Sequence, residues 1–338
     1  MIRRLLTGLV ATLAVLGLLY LLGPVHELDL RTRDTPLPDA PAALERWLAD
    51  GERRLGDVVP GTEKLIRWAH ADRRRTPLAI IYLHGYTATR QEVDPLCDEL
   101  AAALGANIYY TRLSGHGRHP SAMGAVTGND WLQDARDALA IGNAIGERVV
   151  VVGTSTGGTL ALWLAMQPAA GTIAAQVLIS PNFGPRERSA ELLAGPWGAQ
   201  LLDLLVGDEY RWEPHNAEHA RYWTYRYPAR ALLPMMALVR EVRDSSLGDI
   251  RTPTLVLYSP DDRVVDPAEI LRAHQRLGAP IKPLQALDGG GDPSHHVLAG
   301  RVLAPAGTAR VRERILDFIA ALPPTAALTP PGQPPTVP

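Results

Sequence analysis

The sequence predicts an α/β fold in which a mostly parallel β-sheet is covered by helices on both faces. Apolar runs of strand length alternate along the chain with longer helical patterns. Two of these runs, residues 78–83 and 149–152, are apolar at every position, as expected for central strands buried on both sides. With 338 residues, of which 46% are hydrophobic, the chain can form one large domain with a sizeable core.

The strand candidates alternate regularly with helical patterns, except for one long interval between the fifth and sixth candidates. They cover residues 65–69, 78–83, 107–113, 149–152, 176–179, 254–258 and 281–287. About 70 residues, 182–251, separate two candidates that a single helix could connect. We interpret this interval as a helical lid inserted into a domain of residues 42–321, with helices near residues 187–205 and 231–242.

The lid interval contains many of the aromatic residues of the chain, and we take three of them as candidates for substrate contact: Trp212, Tyr222 and Trp223. Aromatic side chains in a lid give apolar contact to a ligand in the pocket below. The alternative is that they pack a small helical subdomain onto the main domain, and both roles can coexist.

The N-terminus carries a targeting pattern. Arg3 and Arg4 precede an uncharged run of about 18 apolar residues, which is just long enough to span a bilayer as a helix. We therefore expect residues 1–23 to form a transmembrane anchor, with the rest of the chain outside the cytoplasm. A cleaved signal peptide and a secreted protein are the alternative, although no Ala-x-Ala cleavage site follows the run.

The remaining terminal segments have no periodic apolar pattern. Residues 24–41 are charged and contain proline, which is typical of a linker that lifts a domain off the membrane. Residues 322–338 are rich in proline and small residues, so we predict a disordered tail there.

Composition limits the possible partners and cofactors. A net charge of −2 gives no general attraction to nucleic acid. Cys97 is the single cysteine, which excludes an internal disulfide and a thiolate metal cluster. His215 and His219 have the spacing of metal ligands on one helical face, but no His-Glu-x-x-His pattern accompanies them, so we expect no metal.

The pattern Gly153-x-Ser155-x-Gly157 directly follows a buried strand candidate and precedes a helical stretch. Such a strand-to-helix turn is tight, tolerates only small flanking residues and exposes the serine hydroxyl at the edge of the sheet. We therefore expect Ser155 to be a nucleophile. The first amides of the following helix, including that of Thr156, favour negative charge beside it.

A nucleophilic serine needs a base and an orienting acid, which should come later in the chain at the ends of further strands. The adjacent carboxylates Asp261 and Asp262 follow the strand candidate at 254–258. His295 and His296 follow the strand candidate at 281–287. Each pair leaves a choice between neighbours, but the order Ser, Asp, His is the one expected.

A second backbone amide should complete an oxyanion hole from the loop after an earlier strand. The sequence Leu83-His84-Gly85-Tyr86 occupies that position. We expect the N–H of Tyr86 to pair with that of Thr156, with His84 supporting the loop structurally.

These motifs resemble those of the monoacylglycerol lipase, lysophospholipase and serine aminopeptidase group of α/β-hydrolases. The matching segments are His84-Gly85, Gly115-His116-Gly117, Gly153 to Gly157, Asp262-Arg263-Val264 and His296-Val297, within residues 63–322. The resemblance implies the α/β-hydrolase fold and a carboxyl-ester or amide substrate. It also favours Asp262 over Asp261 and His296 over His295 as partners of Ser155.

The expected function is hydrolysis of a carboxylic ester through an acyl-enzyme on Ser155, without a metal or organic cofactor. The lid aromatics and the N-terminal helix favour an apolar acyl ester or a lysolipid-like substrate, and a membrane as partner. A serine peptidase or an acyltransferase on the same residues is the alternative. A non-catalytic binding protein that keeps the fold is a more remote one.

Overall fold

The computed structural model describes residues 2–323. Most of the predicted tail, residues 324–338, lies outside the described residues. The main sheet has seven strands in the order β1-β3-β2-β4-β5-β8-β9, of which only β1 runs antiparallel to its neighbour. These strands are β1 Leu65–Arg67, β2 Thr76–Leu83, β3 Asn107–Tyr110, β4 Gly146–Thr154, β5 Ile173–Ile179, β8 Thr254–Tyr258 and β9 Leu284–Ala286. Every strand candidate from the sequence corresponds to one of them.

Side chains of the central strands alternate between two cores, one on each face of the sheet. Ile81 and Val151 belong to one buried cluster, while Ile80 and Val150 belong to the other. Because both faces are buried, these strands are apolar at every position, and the predicted mostly parallel sheet is confirmed.

Ten helices accompany the sheet in the described residues. Helices α3 and α10 cover one face, and α4, α5, α8 and α9 cover the other. The bounds are α1 Ile2–Leu21, α2 Pro41–Leu55, α3 Leu96–Leu104, α4 Gly128–Ile145, α5 Thr156–Ala165, α6 Gly198–Leu205, α7 Ala217–Tyr222, α8 Leu232–Asp244, α9 Pro267–Arg276 and α10 Thr308–Ala320.

The insert between β5 and β8 is less regular than the sequence predicts. The single helix expected at 187–205 is a 3₁₀ segment, Arg188–Ala194, followed by α6. Gly195 between them is extended, because it precedes Pro196 and the helical region is disfavoured before a proline. A short hairpin of β6 Glu209–Arg211 and β7 Arg226–Pro228, which the sequence did not predict, encloses α7.

The N-terminal apolar run forms α1, as expected. However, among the residues described, none of the helices has the length and apolar character needed to cross a membrane. The transmembrane anchor predicted for residues 1–23 therefore finds no support in the structure. The end of α1 contacts the insert, because Trp197 donates hydrogen bonds from its backbone N to Pro24 O (2.8 Å) and from Nε1 to Leu19 O (3.2 Å).

The segment predicted as a linker, residues 24–41, lies in part along α4. The backbone N of Arg33 donates to Gln133 Oε1 at 2.9 Å, and Thr35 Oγ1 donates to Asp137 Oδ1 at 2.7 Å. This stretch is thus held on the surface of the domain by side chains of α4, which its composition alone did not predict.

Candidate active site

Ser155 stands on the turn between β4 and α5. Its φ of 52° and ψ of −118° are strained for a residue with a side chain. The flanking glycines are required by close approach: a Cβ on Gly157 would lie 1.9 Å from Leu83 O, and one on Gly153 would lie 2.4 Å from Gly157 O. This geometry explains why the pattern needs glycine on both sides of the serine.

Asp262 and His296 are brought together at the same edge of the sheet. His296 Nδ1 lies 2.8 Å from Asp262 Oδ2, and Asp262 is 1% exposed. The other oxygen, Oδ1, accepts backbone N–H groups of Val264 and Val265 at 2.8 and 2.9 Å. The carboxylate is therefore fixed in the orientation that holds the imidazole.

The neighbouring Asp261 and His295 do not take part in this pair. Asp261 is exposed to solvent. His295 has a φ of 55°, and its Nδ1 is buried without a hydrogen-bond partner. Consecutive residues point in different directions on such loops, so each loop contributes one residue to the hydrogen-bonded pair of Asp262 and His296.

The charge state of His296 depends on its surroundings. Burial alone would lower the pKa of this imidazole, but the carboxylate of Asp262 opposes it, aided by Glu92 and Asp292, and the net effect raises the pKa above 6.5. Ser155 Oγ and His296 Nε2 form no hydrogen bond in this structure. In unliganded enzymes such a bond often tightens only when substrate binds.

Sequence reasoning missed Asp292, which organises the loop that carries His296. Its Oδ2 accepts backbone N–H groups of His296 (2.9 Å) and Val297 (2.8 Å), and the residue is 2% exposed. The sequence does contain a signal for this role, because an Asp that begins a turn, as Asp292 does, commonly accepts hydrogen bonds from the backbone amides of the following residues.

The loop expected to provide the second oxyanion amide lies against the serine turn. Ser155 Cβ is 3.2 Å from the position that a Cβ on Gly85 would occupy. His84 holds this loop: its Nδ1 lies 2.9 Å from Gly85 O, and its Nε2 accepts the N–H of Leu113 at 3.0 Å. Burial lowers the pKa of His84 well below its usual range, so the ring is neutral and acts as a structural bridge.

The aromatic candidates of the insert pack onto the loops that carry the site residues. Trp223 is buried against Ala88 and Val297, with Trp212 and Tyr222 partly buried against the same cluster. The backbone N of Thr224 also donates to Thr87 O at 2.8 Å, which ties the insert to the loop after β2. These aromatic residues thus pack the insert onto the two loops next to Ser155 and His296.

The histidine pair of the insert packs among these aromatic residues. His219 Nδ1 accepts the backbone N–H of His215 at 3.2 Å, and its ring packs between Trp212 and Trp223. Burial, and then the nearby His215, lower the pKa of His219 to about 4. The neutral imidazole is therefore a packing element of the insert.

Strand order, the strained serine turn and the buried Asp262–His296 pair together define an α/β-hydrolase. The sequence profile of the serine aminopeptidase (S33) hydrolase family matches residues 75–297, and the chain belongs to this family. The resemblance noted from the sequence motifs is confirmed.

Several characterised proteins are similar to this chain. A thermostable monoacylglycerol lipase from Bacillus sp. (strain H-257) is 28% identical over 244 residues, which cover 72% of this chain and 91% of that enzyme. A metagenome-derived lipolytic enzyme shares the fold with a TM-score of 0.61 at 23% identity, covering 78% of this chain and 99% of that one. A soluble variant of the monoglyceride lipase from Saccharomyces cerevisiae, in complex with a substrate analog, gives a TM-score of 0.59 at 14% identity, with 76% and 90% covered.

Proposed function

We propose that this protein is a serine hydrolase that cleaves carboxylic esters through an acyl-enzyme on Ser155. The observation that carries the proposal is the 2.8 Å hydrogen bond between His296 and the buried Asp262, at the sheet edge where Ser155 stands on its strained turn. With Nδ1 bound to a carboxylate, the imidazole presents a free Nε2, which is the form that accepts a proton from serine.

The reaction proceeds in two steps. His296 Nε2 takes the proton of Ser155 while the serine oxygen attacks the ester carbonyl, and the N–H groups of Tyr86 and Thr156 stabilise the oxyanion. Collapse releases the alcohol, which takes the proton from His296. A water molecule, activated by the same imidazole, then attacks the acyl-enzyme and releases the acid. Asp262 stabilises the imidazolium in both steps without taking the proton.

We propose a monoacylglycerol or a similar apolar acyl ester as substrate. The support is an apolar cluster of Met123, Tyr227 and Ala231, against which Tyr86 of the oxyanion loop and Trp212 of the insert pack. A wall of this kind next to an oxyanion loop suits an acyl chain. The monoacylglycerol lipase activity of the Bacillus relative supports the same substrate class.

We also propose that the protein acts at a membrane surface, with the catalytic domain outside the cytoplasm. Support comes from exposed apolar side chains on α1 and α6, two helices that Trp197 connects by its hydrogen bonds to Leu19 O and Pro24 O. The exposed residues include Leu13, Leu18, Leu21, Leu204 and Leu205. Fractionation of the full chain and of a variant lacking residues 2–23 tests this: equal recovery of both in the soluble fraction would contradict it, and N-terminal sequencing would reveal signal cleavage.

The experiment that tests the activity is labelling with a fluorophosphonate probe, comparing the wild type with Ser155→Ala and with Ser246→Ala, an exposed serine of the insert, as control. We expect label on the wild type and on Ser246→Ala, and none on Ser155→Ala. A panel of esters with increasing acyl length, set beside aminoacyl anilides, then separates esterase from peptidase activity. A folded wild type that takes no label and cleaves no ester would contradict the proposal.

A further inference from the structure

A buried glutamate lies beneath the oxyanion loop and has no role in the mechanism so far. Glu92 ends a short 3₁₀ segment, Arg90–Glu92, and is 2% exposed. Its Oε2 accepts the backbone N–H of Gly85 at 2.9 Å and the hydroxyl of Tyr82 at 2.8 Å. The carboxylate therefore binds the loop directly at the residue before Tyr86.

The buried carboxyl group of Glu92 has no cationic partner among the described residues. In the described part of the chain, no Lys, Arg or His side chain lies within ion-pair distance of Glu92. Burial raises the pKa of Glu92 to about 7, against the opposing effects of the Gly85 N–H, the Tyr82 hydroxyl and His296. An uncompensated buried acid is costly for folding, and such groups concentrate at functional sites.

Contacts on both sides of Gly85, one of them from Glu92, fix the direction of the Tyr86 amide. Glu92 holds the N–H of Gly85, while the carbonyl of Gly85 is bound by His84 Nδ1 at 2.9 Å and by the N–H of Ala88 at 3.2 Å. In a planar trans peptide the C=O and the next N–H point in opposite directions. Once the Gly85 carbonyl is bound on the His84 side, the Tyr86 N–H is directed away from it.

The same carboxylate lies close to the nucleophile. Glu92 Oε1 is 2.7 Å, and Ser155 Cβ is 3.2 Å, from the point that a Cβ on Gly85 would occupy. Since Gly85 has no side chain, nothing from that residue separates the two groups. Glu92 also raises the pKa of His296, so its charge is felt by the base as well as by the loop.

We propose that Glu92 is a positioning residue of the hydrolase: it holds the oxyanion loop through the backbone N–H of Gly85 and places a second carboxyl group near Ser155. The inference rests on the proposed function, because it assigns a role within that catalytic site. Two consequences follow, one for the rate of turnover and one for its dependence on pH.

The effect of Glu92 on the pH profile of activity depends on all the titratable groups that face Glu92 and His296. Those facing Glu92 are Tyr82 from β2, Cys97 from α3 and His296 from its loop, and those facing His296 also include Asp262 and Asp292. With a pKa of about 7, Glu92 is ionised in the upper part of the acid limb, and there its charge stabilises the imidazolium form of His296. Removing that charge lowers the pKa of the base, so the acid limb of the activity profile moves to lower pH.

The experiment compares Glu92→Gln and Glu92→Met with the wild type and with Glu99→Gln, an acid on α3 paired with Arg312 away from the site. Gln keeps an acceptor for Gly85 but removes the charge, while Met removes both. We expect Glu92→Met to lower kcat roughly 10- to 100-fold with KM nearly unchanged, and Glu92→Gln to lower it less. The acid limb of Glu92→Gln should shift downward by roughly half a pH unit, whereas Glu99→Gln should match the wild type.

An unshifted acid limb in folded Glu92→Gln would overturn the proposal, because a purely structural residue would not move it. If Glu92→Met fails to fold, the pH profile of Glu92→Gln by itself tests the proposal. Failure here is distinguishable from failure of the proposed function. In the first case the wild type still labels with fluorophosphonate and turns over esters, and in the second it does neither.

Discussion

Asp262 Oδ2 lies 2.8 Å from His296 Nδ1, while the adjacent carboxylate of Asp261 points into solvent. Asp262→Asn should therefore lower kcat for ester hydrolysis by about 10⁴-fold, because the amide favours the wrong tautomer of the imidazole. Asp261→Asn, one position away, should keep kcat within about twofold of the wild type. Steady-state kinetics of the two variants side by side measure the difference.

Thermal melts establish that both variants are folded before rates are compared. If Asp261→Asn lost activity and Asp262→Asn kept it, the assignment of the acid would be wrong.

The pH dependence follows from the raised pKa of His296. The base must be neutral to accept the serine proton, so kcat/KM should fall as pH decreases through this pKa, with the midpoint of the acid limb above the usual pKa of a histidine side chain. The profile is measured from about pH 5 to about pH 9 with an uncharged ester. A midpoint below that usual value would mean that the effect of burial outweighs that of the carboxylates around the imidazole.

A buried ion pair joins α2 to the segment after β3. Arg112 donates to both oxygens of Glu52, at 2.7 and 2.9 Å, and the two side chains are 4% and 8% exposed. Glu52→Ala should lower the free energy of unfolding by about 3–5 kcal/mol, since it leaves a buried charge without its partner. Urea denaturation measures this change.

The control for this pair is Asp29→Ala, which breaks the exposed pair with Arg31 and should leave the unfolding midpoint essentially unchanged. A Glu52→Ala variant as stable as the control would show that the buried pair adds nothing to the fold. Replacing both Glu52 and Arg112 by leucine should recover part of the loss, because no unpaired charge remains.

Two helical glycines should respond to alanine with opposite signs. A Cβ on Gly51 of α2 would have no atom nearer than 3.9 Å, so Gly51→Ala should stabilise the protein by about 0.5–1 kcal/mol. A Cβ on Gly142 of α4 would lie 2.8 Å from Ile81 Cγ2, so Gly142→Ala should destabilise it by about 1–3 kcal/mol. If the melting temperatures of both variants shifted in the same direction, the close contact between Gly142 of α4 and Ile81 of β2 would not control the response to alanine.

The sequence predicted every strand of the main sheet, and the central ones most clearly, because burial on both faces leaves a continuous apolar run, as in residues 149–152. It was less successful in the insert, where the expected helix at 187–205 is interrupted at Gly195 and a hairpin was missed. The hairpin strands are three residues each, too short to carry a periodic signal. The expected membrane span also finds no support in the structure.

By itself the sequence determined the fold class, the serine turn and the order in which the candidate aspartates and histidines follow Ser155, because each depends on neighbours along the chain. Glycines must flank Ser155, and loop residues must follow strands. The family resemblance favoured Asp262 and His296, but the tertiary structure decided which of two adjacent aspartates contacts which of two adjacent histidines. It also brought Glu92 under the loop of Gly85 and placed Asp292 beneath His296. These relationships depend on the direction of single side chains and on contacts between separate loops, which carry no local pattern for a sequence to display.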